Sequence, residues 1–333
     1  MMKICRFCIS LIYGLLITAC NGPSGPTESV SDRVAEARAR NDGPAIWKVT
    51  DFDSTLYLFG SMHLLPDDAN WLRDDLRDVV RDVGTVFFEV DTSETGRADA
   101  TIISARLGLR QDGLRLADSL DNYQMKLLEA VAHNGQISIA SLDSMKPWLA
   151  SEYLTLTAAE QAGLSGDISA DEALKSMARR QQKNVIYLES VEDQIRAVSD
   201  LPQSLQLEIL TETMEQFDDL GAQLKRLSIG WSVGQTDFMK QQMIDPLRQD
   251  AGEMYRSVLV NRNKKWAEIL VPHMEGSGES LVVVGVAHLL GEESLLTEFE
   301  KAGYQVERHY AFMGENVISP TELTIERPGD ESR

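Results

Sequence analysis

Two histidines stand in matching surroundings near opposite ends of the chain: Gly60-Ser61-Met62-His63-Leu64-Leu65-Pro66 and Gly285-Val286-Ala287-His288-Leu289-Leu290-Gly291. Gly-x-x-His is a weak pattern by itself. Its weight comes from the duplicated context and from a sequence holding five histidines in all. Imidazoles brought together from distant sequence suit divalent-metal binding or acid–base catalysis. A metal site also needs an oxygen ligand, and Glu89 is the best candidate. It ends an apolar run, where a carboxylate is costly unless paired or metal-bound. Asp91, two residues on, reads as structural. Two alternatives stay open at this level: Glu89 acts as a base without being a ligand, or both histidines merely cap strands through hydrogen bonds.

These residues need elements that deliver them to one place. Thr55–Phe59 and Ser280–Val284 are continuous apolar runs with β-branched or aromatic content, as in central strands covered on both faces. Each feeds a glycine that lets the backbone turn, so each histidine falls just past a strand's C-terminal end, where open α/β sheets bind ligands. Thr85–Val90 is a third strand, after an amphipathic helix over Trp71–Val83. A helix over Glu292–Ala302 leads into a last strand, Tyr304–Arg308. Between residues 100 and 272 the apolar spacing is helical, with examples at Tyr123–Ala132, Leu149–Ala162, Leu205–Leu227 and Ala251–Leu270. One short strand, Asn184–Glu189, interrupts it. The expected class is therefore α/β (α+β): a mixed central sheet built from both ends of the chain, with a large helical insertion.

The two histidine motifs, together with Phe87-Phe88-Glu89-Val90-Asp91 between them, resemble the three motifs of the TraB/GumN/TIKI family. Lys146-Pro147-Trp148, Gly166-Asp167, Leu188-Glu189-Ser190-Val191-Glu192-Asp193-Gln194, and Arg262-Asn263 with Trp266 add to the likeness, which runs from about Ile46 to Arg308. Ser61 and Met62 fill variable positions where Thr or Ile is common. The resemblance implies a metal-dependent hydrolase. Animal TIKI members are described as metalloproteases needing an ion such as manganese or cobalt, and pheromone-shutdown members act on or bind peptides. Carried over, His63, Glu89 and His288 would hold one divalent cation; two histidines and a carboxylate suit manganese, cobalt or zinc alike. The ion would activate a water and polarise a scissile carbonyl while a carboxylate takes the proton.

Arg262 and Asn263 sit mid-helix, where Asn is disfavoured. Arg262 either points into the site, steadying an oxyanion or a carboxylate, or lies on the helix surface paired with a glutamate. Glu189 ends its strand much as Glu89 does, and either faces the same site or caps the following helix. The other histidines read as surface residues: His133 at a helix end before Asn134-Gly135, His273 after Pro272 in a Gly-rich loop, His309 after the last strand. The turn at Gly276-Ser277-Gly278 lacks the lysine and helix start of a phosphate loop, and no nucleophile elbow is visible.

The ends of the chain say where it works. Residues 1–20 have the parts of an export signal: Lys3 and Arg6, then an apolar run from Cys8 to Ile17. That run is far shorter than the about 20 residues a bilayer core requires. It closes in Ile17-Thr18-Ala19-Cys20, which resembles a bacterial lipobox, so Cys20 is the expected lipidation site and membrane anchor. Asn21 after it favours the outer membrane, with the protein facing the periplasm. The three cysteines, Cys5, Cys8 and Cys20, all lie in this segment, so thiol nucleophiles and zinc–thiolate sites in the body are excluded. Residues 21–45 read as a tether, 46–312 as the folded domain and 313–333 as a loose tail. The formal net charge of −20 becomes −22 without Lys3 and Arg6, a surface that repels nucleic acid. The expected function is a metal-dependent hydrolase, with peptide or saccharide as substrate class. The alternative is a non-catalytic envelope protein that binds such a polymer on the same scaffold.

Overall fold

Among the described residues, eight strands form where β-branched and aromatic residues concentrate: β1 (Ile46–Thr50), β2 (Ser54–Ser61), β3 (Leu65–Pro66), β4 (Thr85–Phe88), β5 (Leu164–Ser165), β6 (Asn184–Tyr187), β7 (Gly278–Gly285) and β8 (Gln305–His309). The structure, a computed structural model, describes residues 43–66, 69, 71–166 and 169–309. The expectations for residues 1–20 with Cys20, for the tether up to residue 42 and for the tail 313–333 lie outside them. Six strands form one mixed sheet in the order β6-β4-β7-β2-β1-β8, and β3 pairs with β5 separately. β6, β4, β7 and β2 run parallel, while β1 is antiparallel to both β2 and β8. The fold class read from the sequence is the one observed: both chain ends supply strands, and helices fill the middle. The sequence reading missed β1 and the two-residue strands β3 and β5.

Side chains along β7 alternate between two cores. Leu281 and Val283 face one cluster with Val86, Phe88 and Phe59. Val282 and Val284 face another with Phe87, Leu56 and Leu58. Both faces are covered, which explains runs without polar alternation. The first face carries the helices Asp74–Asp82, Ala170–Arg180 and Val191–Ser199. The second carries Asn261–His273 and Leu295–Lys301. A third core joins the helices Asn122–Asn134, Pro147–Gln161 and the thirty-residue Gln203–Ser232. Local chemistry marks the helix starts: Asp121 and Gln124 form a capping box, Pro147 occupies the first turn, and the Ser169 and Ser190 hydroxyls accept N–H bonds. None of the described helices is long and apolar enough to cross a membrane.

The glycine of the first histidine motif is required by packing. A Cβ on Gly60 would lie 2.9 Å from Val286 Cγ2 and 3.1 Å from its Cα, and the Gly60 carbonyl accepts the Trp231 indole N–H at 2.7 Å. The two motifs therefore touch through their first halves. Gly60→Ala is expected to destabilise the fold by about 1–3 kcal/mol through overpacking. An unchanged urea unfolding midpoint would contradict this packing.

Candidate functional site

Each of the four parallel strands ends by delivering a residue to one edge of the sheet. His63 follows β2, Glu89 follows β4, Glu189 follows β6, and His288 follows β7 on a short 3-10 turn, Val286–Leu289. The β4–β6 pairing carries past the strands, with the Glu189 N–H donating to the Glu89 carbonyl at 3.0 Å, so the two carboxylates lie at neighbouring strand ends. Glu189 thus takes the first of its two readings. The cap on the following helix is Ser190.

Arg262 binds the cluster together. Its Nη2 donates to Glu89 Oε2 at 2.8 Å and to Glu189 Oε1 at 2.6 Å, and its Nε donates to both Glu189 oxygens at 3.0 and 3.1 Å. Its Nη1 reaches His288 Nε2 at 3.1 Å and the Val258 carbonyl at 3.0 Å. Val258 belongs to a π-helical turn, Arg256–Val260, just ahead of the helix that carries Arg262. The guanidinium carbon also sits 4.7 Å from the centroid of the Trp266 ring, and Arg262 itself is 3% exposed. The surface-arginine reading is therefore excluded: Arg262 points inward onto the carboxylates.

Glu89, 4% exposed, accepts the Gly285 N–H at 2.6 Å on Oε1 and the Gln194 amide at 3.0 Å on Oε2. Burial pushes its carboxyl up, but Arg262, then His288 and His63, then the Gly285 N–H, outweigh it and bring it down to about 2. Glu189 goes the other way: burial raises it, Arg262 pulls back, and Glu89 raises it again. One carboxylate is thus firmly ionised and its neighbour is held so reluctantly.

Nδ1 of each histidine faces an oxygen from a neighbouring helix, as a hydrogen bond for His288 and as a longer ion-pair contact for His63. His288 Nδ1 lies 2.6 Å from Asn263 Oδ1, while the Asn263 amide donates to the Glu293 carbonyl at 2.8 Å. That second bond fixes which amide atom faces the ring, so His288 carries its proton on Nδ1 and accepts from Arg262 on Nε2. His63 Nδ1 faces Asp171 Oδ2 at 3.4 Å, and Ser61 Oγ donates to Asp171 Oδ1 at 2.9 Å. His63 keeps 14% side-chain exposure, whereas His288 is fully buried. Lys175, one turn beyond Asp171, is buried as well; its ammonium donates to the Val90 carbonyl at 3.3 Å and to the Thr92 hydroxyl, bracing the chain just past Glu89.

Burial and then Arg262 push His288 well below the ordinary imidazole range, against the pull of Glu89. The folded ring stays neutral where the unfolded one takes a proton, so its contribution is lost as pH falls below the unfolded value of about 6.5. In chelator-treated protein, unfolding free energy is expected to fall as pH drops from about 6.5 to about 5. Urea titrations that stay flat over that interval would contradict a buried neutral His288.

The remaining sequence candidates separate from the site. Asp91 accepts from the Ser93 N–H and hydroxyl, the structural role expected. His133 is exposed at its helix end. His273 departs from its expected loop and surface position: it ends the helix Asn261–His273, its Nε2 lies 2.9 Å from Ser280 Oγ, and its ring meets Phe87 edge-on at 4.9 Å. His309 is the last residue of β8, edge-on to Tyr57. Asp171, Gln194 and Lys175 are functional neighbours to which the sequence reading gave no role. One signal was available for two of them. Asp171 and Lys175 sit at i and i+4, interrupting the apolar face of Ala170, Leu174, Met177 and Ala178.

Two imidazoles and an ionised carboxylate are the donor types of a divalent-metal site, and a hydrogen bond at Nδ1 such as that of His288 to Asn263 commonly orients a metal-ligating histidine. Here Arg262 bridges two of those donors, Glu89 Oε2 and His288 Nε2. Among the described residues, no three His, Cys, Asp or Glu side chains stand ready as a metal cage. The donor set fits the ion in chemistry, and the guanidinium has to shift before those atoms are available.

A family profile described as the TraB/PrgY/gumN family matches residues 45–308. A protein of Escherichia coli (strain K12) that bears the name "Uncharacterized protein YbaP" is 23% identical over 252 residues, 76% of this chain and 90% of that protein. Its namesake from Shigella flexneri is 23% identical over 239 residues, 72% of this chain and 85% of that one. No solved structure matches.

Proposed function

The chain belongs to the TraB/PrgY/gumN family, and on that premise we propose that it is a divalent-metal-dependent hydrolase, acting on peptides, anchored in the bacterial cell envelope through a lipid on Cys20. The observation that carries the reading is the delivery of His63, Glu89 and His288 to one edge of the sheet by the neighbouring parallel strands β2, β4 and β7. Asp171 stands 3.4 Å from Nδ1 of His63, and Asn263 is bonded to Nδ1 of His288, whose Nε2 meets Arg262 beside an ionised Glu89.

Manganese, cobalt or zinc would be held by His63, Glu89 and His288, and when bound it supplies Lewis-acid polarisation of a scissile carbonyl. The chain's own groups do the rest. Glu89 keeps its negative charge at every physiological pH because Arg262, Gly285 and Gln194 all donate to it. His288 is fixed as one neutral tautomer. His63, the most exposed of the three, is the residue substrate meets first. Arg262 supplies a fixed positive charge to a carboxylate or a developing oxyanion.

The test is cleavage of a peptide library by the purified protein with and without chelator, alongside its metal content by mass spectrometry. Bound metal with chelator-sensitive cleavage supports the hydrolase. Retention of peptide or saccharide without turnover and without metal supports the binding protein instead. For the anchor, Cys20→Ala is expected to move the protein from the membrane to the soluble fraction; an unchanged distribution would remove Cys20 from that role.

A further inference from the structure

We infer that Arg262 is the resident cation of this centre, and that a divalent ion loads by displacing its guanidinium from Glu89 and His288 onto Glu189. The inference rests on the metal-dependent reading above and adds how the site is regulated.

Beside the Val258 carbonyl and the Trp266 ring, two sets of Arg262 contacts bear on the ion. Nη2 to Glu89 Oε2 and Nη1 to His288 Nε2 occupy atoms that an ion would need. Nε to both oxygens of Glu189 and Nη2 to Glu189 Oε1 occupy a carboxylate outside the proposed ligand set. A rotation of the guanidinium that releases the first set leaves the Nε–Glu189 bonds able to persist, so the arginine keeps a buried counter-ion in both positions. Glu189 then has a purpose that helix capping does not give it: it is the dock on which Arg262 rests when the ion is present.

Charge gives the same division. With Arg262 between them, the firmly ionised Glu89 is neutralised, and an ion placed beside the unmoved guanidinium meets like charge in a site with little water to screen it. His288 Nε2, as an acceptor of an Arg262 N–H, has its lone pair committed. Competition for these two atoms lowers the ion's apparent affinity by whatever free energy holds the arginine in place. The centre is thereby protected from loading until the ion's affinity, or a substrate's negative charge drawing on Arg262, favours the exchange.

The experiment is a manganese(II) titration of the purified chain, followed by isothermal calorimetry and by thermal unfolding, for native protein, Arg262→Met and the double variant Arg262→Gln with Glu189→Gln. The double variant removes one charge of each sign, so it keeps the site's net charge and guards against failure to fold. Affinity in both variants is expected to rise roughly tenfold to a hundredfold, the usual size of such a coupling, with a correspondingly larger rise in melting temperature on adding manganese. A double variant that binds manganese no more tightly than native protein overturns the inference. If that result comes with chelator-sensitive cleavage by native protein, the hydrolase reading survives and only the role of Arg262 falls. If neither native protein nor either variant binds manganese, both fall together.

Discussion

Glu89→Gln is expected to lower the unfolding free energy of the chain by about 3–5 kcal/mol at pH 7, the usual cost of removing one partner from a buried ion pair. The reason lies in the contacts. Glu89 offers two acceptor oxygens to three donors, the Gly285 N–H, the Gln194 amide and Arg262. A glutamine has one acceptor oxygen, and its amide nitrogen would face one of those donors head-on. Linkage gives a second estimate of the same size. The folded carboxyl is depressed to about 2 from an ordinary 4.5, which corresponds to about 3 kcal/mol of stability present above the unfolded pKa and lost as pH falls towards 2. The gap between native protein and Glu89→Gln should therefore narrow below about pH 4. Glu189→Gln should cost less, because burial and the neighbouring Glu89 already penalise its charged form. Urea unfolding of the three proteins at pH 7 checks both statements; a loss under about 1 kcal/mol for Glu89→Gln would mean that the cluster does not hold the sheet edge together.

His63→Ala is expected to do the reverse: little to the fold, nearly everything to turnover. The His63 side chain is 14% exposed at the strand edge, and its loss leaves Asp171 still accepting from Ser61 Oγ. Unfolding free energy should change by about 1 kcal/mol or less. Peptide cleavage should fall by about a hundredfold to ten-thousandfold, the range for loss of a positioned catalytic group. His288→Ala is a poorer probe. That ring is fully buried and bonded to Asn263 and Arg262, so its removal strips two polar partners and opens a cavity. A His63→Ala protein that keeps more than about a tenth of native turnover would take His63 out of the chemistry.

The contrast between these two residues also shows what the sequence can and cannot reveal. His63, Glu89 and His288 are legible because each follows a continuous apolar run, and a strand's end is a local property. The sheet itself is legible for the same reason, apart from β1. Ile46–Thr50 is a five-residue strand with Lys48 and Thr50 in it, and it becomes a strand by pairing with β2 on one side and β8 on the other. Arg262 and Glu189 could each be assigned two roles from sequence, and the distance between them along the chain hides the choice. Asp171 is an acidic residue in the first turn of a helix, as Asp74 is in another. What distinguishes it is that packing turns it inward towards Ser61 and His63, more than a hundred residues away. The anchors of the two histidines come from helices, and helix rotation about its axis is set by the core beneath it, not by the spacing of the motif.

The most direct test of the proposed centre is an anomalous difference map from crystals of the protein grown with manganese. The account predicts one strong peak bonded to Nε2 of His63, Nε2 of His288 and a Glu89 oxygen, with the Arg262 guanidinium withdrawn from Glu89 and still paired with Glu189. A map without a peak at those three residues, with Arg262 still bridging Glu89 and His288, would contradict it.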